Sequence, residues 1–454
     1  MIDVIILAAG KGTRMKSQLP KVLQQLAGVP LIEHVVGTAL QLENANIHVV
    51  LGHQATQVEE VLAPYPVDCL YQEVQLGTGD AVMTALGSLQ KYGISLILYG
   101  DVPLITLPTL RQLINLVDEN SMALLTAELE DANGYGRIVR DKNESIVAIV
   151  EQKDATDSQL AIHEINTGIM AVRNEDLERW LPQLHNNNAQ GEYYLTDIIA
   201  MAVAEGKQVN ACEPQALFEI LGVNDRLQQA QLERVCQEQI AQQMMLEGVR
   251  LADPTRIDIR GRVDFGNDVS IDVNCVFEGH VQLGDGVIIE SHCVIRNAVI
   301  GDGCHIKAFT HIEQSDLGED CEVGPYARLR PGTYLATGVR IGNFVETKNA
   351  AIGYHSKVNH LSYIGDAELG EEVNVGAGTI TCNYDGANKH KTVIGDSAFI
   401  GSNTALVAPV EIGKGATVGA GSTITKSVPE ESLAVTRAKQ IHREPWQRPK
   451  KEKK

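Results

Sequence analysis

Between Ile259 and Ile424 large apolar residues return at every sixth position. The beat runs through Ile259, Phe265, Ile271, Phe277, Leu283, Ile289 and Ile295, then resumes after a five-residue step at Ile300, Ile306 and Ile312. It continues at Leu317, Val323, Leu329, Leu335, Ile341, Ile352, Val358, Ile364, Leu369 and Val375, and closes at Ile394, Ile400, Leu406, Ile412, Val418 and Ile424. A helix repeats at about 3.6 residues and a strand at about 2, so this period predicts short strands joined by turns and stacked as a parallel β-helix. A second column four residues on is small or slim: Cys275, Cys293, Val299, Cys304, Thr310, Cys321, Ala327, Ser356, Ser362, Thr379, Ala398, Thr404, Ala416 and Ser422. Coils stacked about 4.8 Å apart leave room for one large side chain per flat and one small one per corner. Glycine after many of the large residues, as at Gly284, Gly318 and Gly342, suits tight turns.

From Met1 to about Asn224 apolar runs of strand length alternate with helical stretches. Strands are expected at Val4–Leu7, Ile47–Leu51, Cys69–Tyr71, Ser95–Tyr99, Met122–Ala127 and Ile165–Val172, with helices near Leu31–Leu42, Gly79–Leu89 and Thr109–Asn120. That order predicts an α/β, Rossmann-like domain with a mainly parallel sheet, covered on both faces, that takes ligands at the carboxyl ends of its strands. Residues 225–247 are rich in Gln, Leu, Ala and Glu without Pro or Gly, which predicts one long helix. The chain therefore divides into an α/β domain over 1–224, a helical linker over 225–247, and an all-β solenoid with a tail over 248–454.

At 454 residues the chain is too long for one ordinary core. Its net charge of −20 argues against nucleic-acid or acidic-membrane partners. The basic end, with Lys450, Lys451, Lys453 and Lys454, reads as a solvated tail. Eight cysteines contain no C-x-x-C pair, and four of them fall in the small corner column, as packing thiols in a reducing compartment would. With no signal-peptide pattern and no membrane-length apolar run, a soluble cytoplasmic protein is expected.

Candidate chemistry lies where the apolar runs end. The run Leu7-Ala8-Ala9-Gly10-Lys11-Gly12-Thr13-Arg14-Met15, followed by Pro20-Lys21, offers backbone N–H groups at a glycine turn and two cations for a polyphosphate. It is neither a Walker loop nor the dinucleotide fingerprint, since Arg14 and Met15 stand where a third glycine belongs. Asp101, in Tyr99-Gly100-Asp101-Val102-Pro103, is placed to hold Mg²⁺ against phosphates or merely to shape the turn. Gln72 with Gly77-Thr78, Gly134-Tyr135-Gly136-Arg137, Glu151, Glu164 to Gly168, and Gly222-Val223-Asn224 are further polar or glycine clusters at such ends.

The Leu7–Met15 signature resembles that of sugar-nucleotide pyrophosphorylases, and the Ile-Gly hexads resemble the left-handed parallel β-helix of hexapeptide-repeat acyltransferases. Together they look like one bacterial family of bifunctional enzymes, which acetylate glucosamine-1-phosphate and then join the product to UMP. This resemblance implies that Leu7, Ala8, Ala9, Gly10, Gln72, Gly77 and Thr78 hold the uridine nucleotide and that Lys21, helped by Arg14, neutralises phosphate. It implies that Asp101 and Asn224 ligate Mg²⁺, and that Tyr99, Gly100, Gly136, Glu151 and Asn166 contact the sugar nucleotide. Asp80 stands where such enzymes often have His, and Leu221 where they often have Glu.

In the solenoid, Arg328 to Gly332, Asn343 to Lys348 and Asn359 to Tyr363 crowd polar groups onto successive coils. His360, two residues past the inward Val358, is expected at an outward position. The insertion from Thr381 to Val393 leaves the repeat and should project as a loop. By resemblance, Arg330, Lys348, Tyr363 and Asn374 bind glucosamine phosphate. Ala377, Asn383, Tyr384, Ser402, Ala420 and Arg437 bind acetyl-CoA, and His360 is the general base. The family also implies a homotrimer, with UTP and acetyl-CoA as co-substrates. Two other readings stand beside this one: a single-activity sugar-phosphate nucleotidyltransferase whose solenoid serves assembly, and a silent trimeric scaffold.

Overall fold

A computed structural model describes residues 1–451. The tail is exposed as far as Lys451, while Lys453 and Lys454 lie outside the described residues. The chain forms two compact units, one over Met1–Cys236 and one beginning at Gln237. The division falls inside a helix, Arg226–Leu246. In its first half, Glu233 accepts from the Ala27 backbone N–H at 2.8 Å. In its second half, the Gln237 amide closes both hydrogen bonds of the Ile259 peptide group, at 2.7 and 2.8 Å.

The first unit is built on a nine-stranded sheet whose main path runs in the order Gln208–Cys212, Ser121–Glu128, Glu164–Arg173, Ile94–Tyr99, Ile2–Ala8, Ala45–Leu51 and Asp68–Tyr71, with Gly136–Arg140 and Ile146–Val150 joined to Glu164–Arg173 off that path. The last four run parallel, and Glu164–Arg173 runs antiparallel to both of its neighbours. Alternation along Ile2–Ala8 sends Val4, Ile6 and Ala8 into one apolar layer and Ile5 and Leu7 into the other, so the sheet is covered on both faces. The chain leaves Ile2–Ala8 toward one edge and returns across it to Ile94–Tyr99. This reversal of strand order opens a crevice at the carboxyl ends of those two strands.

The hydrophobic pattern missed a hairpin, Gly136–Arg140 with Ile146–Val150, because its polar turn masks two short runs. The expected helices are shorter than their patterns: Leu31–Ala39, Thr78–Ala85 with a 3₁₀ turn at Leu86–Ser88, and Leu107–Asn115.

In the second unit, parallel strands stack coil upon coil as a β-helix. Every large residue of the six-residue beat is buried except Phe265, which packs partly buried against the same core. The small column is buried too, with one correction. Val299 is 42% exposed, and Ala298, at 2%, takes its inward station. The five-residue step from Ile295 to Ile300 shortens the spacing, so the residue four places on from Ile295 has rotated past the corner.

The glycines also act differently from the expectation. Of those that follow a large residue only Gly324 has positive φ. Most of the others are small because the next coil lies against them: a Cβ on Gly342 would stand 2.0 Å from the Asn359 carbonyl oxygen. Left-handed corners are held instead by residues such as Phe309, Tyr326 and Phe344, whose exposed rings stack at 4.8 and 5.4 Å between centroids.

The shifted register gives a direct test. Ala298→Leu overpacks a closed corner and should destabilise the solenoid by about 1–3 kcal/mol. Val299→Thr, at a solvated position, should change stability by less than about 0.5 kcal/mol. Thermal unfolding of both variants checks this, and equal losses would contradict the assignment.

Candidate functional site

The crevice of the first unit has a volume of about 580 Å³. Its floor is the strand end Leu7-Ala8-Ala9-Gly10, and its walls carry Lys21, Gln72, Gly77, Thr78, Tyr99, Asp101 and Asn224. Gly12 has φ +58°, and a Cβ there would lie 2.6 Å from Cβ of Lys21, so this glycine lets the lysine fold down over the loop. Lys21 opens a 3₁₀ turn after Pro20 and pairs through Nζ with the Asp101 carboxylate. The same Nζ lies 3.3 Å from Oδ1 of Asn224, and Nη2 of Arg14 donates to that oxygen at 2.8 Å. The Val223 N–H donates to the Asp101 carbonyl at 2.9 Å, locking the two acceptor-bearing segments together. Four residues far apart in sequence thus form one cluster of two cations and two oxygen donors.

Arg14, Gly100, Gly136, Glu151 and Asn166 do not line the crevice itself. Gly100 is small because a Cβ would meet Ile32 at 2.7 Å, a packing reason rather than a ligand-facing one. The others, except Arg14, group around Tyr99. Gly168, at φ +85°, passes so close that a Cβ would be 2.8 Å from the Tyr99 hydroxyl. Asn166 is buried and accepts from the Gly168 N–H at 3.0 Å. Glu151 accepts from Thr196 Oγ1 at 3.2 Å and faces Gly136. Burial raises the Glu151 carboxyl above its ordinary value, with Asp154 and Asp197 adding to the shift, and burial likewise raises the Tyr99 phenol.

On the solenoid, His360 is exposed, as expected, at the end of the strand Lys357–His360. Its Nδ1 is 3.0 Å from Oδ1 of Asn343 on the coil before. An amide oxygen only accepts, so the ring donates from Nδ1 and leaves Nε2 with a free lone pair. The Gly378 N–H donates to the His360 carbonyl, that of Asn403 to Ala377 and that of Gly421 to Ser402. His360, Ala377, Ser402 and Ala420 therefore descend one edge of the prism, and a Cβ on Gly421 would lie 3.7 Å from Cδ of Arg437.

The adjoining flat carries the cations. Arg330 pairs with Glu346 at 2.7 Å. The Lys348 ammonium is held below its ordinary value by Lys389 first and then by Arg330. The projecting loop returns Asn383, which donates to Asp366 at 2.5 Å and lies 3.5 Å from the Tyr363 hydroxyl, while Tyr384 stays exposed. Asn374 is the exception. It belongs to the sheet containing Lys357–His360 and lines a separate hollow with Arg340, His355 and Lys357, so one chain does not bring it to Arg330, Lys348 and Tyr363.

Residues 4–157 match the MobA-like NTP transferase domain, 259–364 the GMPPB C-terminal domain, and 391–426 six repeats of the bacterial transferase hexapeptide. The bifunctional protein GlmU of Acinetobacter baumannii (strain AYE) is 56% identical over 451 residues, 99% of each chain. That of Cellvibrio japonicus is 59% identical over 449 residues, again 99% of each. The relative from Ralstonia nicotianae is 54% identical over 453 residues and the full length of both. The chain belongs to the bifunctional GlmU family.

As a GlmU-type enzyme the chain acetylates glucosamine-1-phosphate and transfers UMP to the acetylated product, giving UDP-N-acetylglucosamine and pyrophosphate. The single-activity and scaffold readings fall away. No helix among the described residues is long and apolar enough to cross a membrane. The sequence reading overlooked Lys11, Gln75 and Glu192 in the crevice and Lys389 beside Lys348. Glu192 follows a polar stretch with no strand before it, and Lys389 sits inside the insertion, so neither had a periodic neighbour to mark it. The two departures differ in placement: Asp80 bonds Gln72 at 2.6 Å, whereas Leu221 is partly exposed beside Gly222.

Because burial raises the folded-state pKa of Glu151 above 4.5, its ionisation costs the folded state stability once the pH exceeds that value. Glu151→Gln should therefore raise the melting temperature at pH 7, and the gain should shrink as the pH falls toward 4.5. Melting curves across that range are the check, and a gain that grows on acidification would reverse the sign.

Proposed function

We propose that the crevice of the first unit is the uridylyl-transfer site and the His360 edge of the solenoid the acetyl-transfer site. The observation that carries the first half is the convergence of Lys21 and Arg14 on Asp101 and Asn224, beside a glycine turn at the switch point of the sheet. UTP lies along Leu7 to Gly10 with Gln72, Gly77 and Thr78 around the base. Lys21 and Arg14 neutralise phosphate as the sugar-phosphate oxygen attacks the α-phosphorus in line and pyrophosphate leaves. Tyr99, Gly100, Gly136, Glu151 and Asn166 surround the sugar side.

Mg²⁺ fits this donor set. Asp101 and Asn224 present hard oxygens that already converge on one cation, the Lys21 ammonium. Among the described residues no group of three or more His, Cys, Asp or Glu side chains could hold a metal ion, as suits an ion that takes its remaining ligands from phosphates and water. When bound, Mg²⁺ supplies Lewis-acid neutralisation of the phosphates.

In the solenoid, Arg330 and Lys348 take the glucosamine phosphate, with Tyr363 and Asn374 completing its site. Nε2 of His360 accepts the proton of the substrate amine as it attacks the thioester of acetyl-CoA. Ala377, Asn383, Tyr384, Ser402, Ala420 and Arg437 hold the coenzyme. The enzyme works as a homotrimer in the cytoplasm. The separation of Asn374 from Arg330 within one chain supports sites shared between copies, and eight free cysteines suit a reducing compartment.

Asp101→Ala should abolish most pyrophosphate release from UTP and leave CoA release from acetyl-CoA intact. His360→Ala should do the opposite, slowing CoA release roughly 10²- to 10⁴-fold. Paired pyrophosphate and thiol assays on both variants decide the matter; equal loss of both activities in either variant sinks the two-site reading.

A further inference from the structure

Gln72 follows the strand Asp68–Tyr71 and is buried in the wall of the crevice. Its backbone N–H is already spent on the Leu51 carbonyl at 2.8 Å and its own carbonyl accepts from Gln75 Nε2 at 3.4 Å, which leaves the side-chain amide to read a ligand. That amide can be placed in either of two senses, differing by a half-turn, and the sense decides whether the crevice meets a donor or an acceptor. Two acceptors settle it. Asp80, in the first turn of the helix Thr78–Ala85, receives a hydrogen bond from Gln72 Nε2 at 2.6 Å, and the Gly77 carbonyl lies 3.3 Å from the same nitrogen. A half-turn would set Oε1 against a carboxylate and a carbonyl, which are both acceptors. Among the described residues no donor engages Gln72 Oε1.

We propose that Asp80 is a positioning residue that fixes base selectivity. It holds Gln72 so that the amide presents a carbonyl acceptor to the nucleobase. An acceptor there matches the N3–H of a uracil ring and is repelled by the N3 lone pair of cytosine. The carboxylate touches no substrate; it acts through Gln72. Its own geometry is fixed, because Gly77 and Thr78 anchor the start of the helix. Gly77 adopts φ +117° against the Tyr193 backbone, where a Cβ would lie 2.7 Å from the carbonyl oxygen, and Thr78 Oγ1 accepts from the Leu195 N–H at 3.2 Å.

This inference rests on the crevice being the uridylyl-transfer site, and the experiment separates the two. Pyrophosphate release is measured with UTP and with CTP for wild type, Asp80→Asn and Asp80→Ala, with a thermal unfolding curve of each as the control for folded protein. Asparagine keeps the shape but can either accept from Gln72 or donate to it, so the amide is no longer held in one sense. The ratio of kcat/KM for UTP to that for CTP should fall roughly 10- to 100-fold in Asp80→Asn. The fall should come from a lower value with UTP and an unchanged or higher one with CTP. Should Asp80→Ala prove unstable, the isosteric variant alone decides. An unchanged ratio in Asp80→Asn, whether or not both rates drop, overturns the assignment of Asp80 and leaves the uridylyl site standing. Wild type that releases no pyrophosphate from UTP overturns the site itself.

Discussion

Closure of the coil is the constraint on which the second half of the molecule depends. Each flat of the prism must send one large side chain inward and each corner one small one, because the neighbouring coils sit a single β-sheet spacing, about 4.8 Å, above and below. Where the count slips by one between Ile295 and Ile300, the chain does not open a gap; Ala298 moves in and Val299 moves out. Where two coils approach most closely, at Gly342 over Asn359, even a methyl group is excluded. With its interior so determined, the solenoid is free only on its surface.

That surface freedom is ordered by the same stacking. Because successive coils repeat in register, a polar residue placed once can be placed again directly above or below. His360 stands over Ala377 and Arg330 over Lys348, while Tyr363 falls in register with Glu346 on the coil before it. The Asn343 amide reaches His360 for the same reason, being its partner one coil away. The insertion breaks the rhythm only after the core has been satisfied on both sides of it, and brings Asn383 and Lys389 back onto the flat it left.

The first unit gathers its polar groups by another route. A twisted, mainly parallel sheet turns the carboxyl ends of its parallel strands to one side, and the reversal of strand order beside Ile2–Ala8 opens the crevice there. Charge then concentrates there. Lys21 pairs with the Asp101 carboxylate and both Lys21 and Arg14 reach the Asn224 amide oxygen, while Tyr99 and Glu151 are held toward their protonated forms by loss of water. Small residues govern the approaches, with Gly12 and Gly77 each adopting backbone angles that favour glycine.

Periodicity by itself determined the solenoid, since a six-residue beat has no other economical fold, and alternation of apolar runs determined the sheet. Short signals at the strand ends drew attention to Lys21 and Asp101, whereas His360 was marked by the resemblance of the solenoid rather than by its own surroundings. Other features needed the third dimension. The hairpin after Gly136 was hidden because its short runs read as loop, and Lys389 because a loop's return path leaves no period. The register slip at Val299, the true reason for glycine at Gly100, the distance of Asn374 from Arg330, and the grip of Asp80 on Gln72 depend on which atoms meet across folded space. Composition and order along a chain state which side chains seek burial, but the partner of a buried polar group is chosen only when segments distant in sequence come into contact.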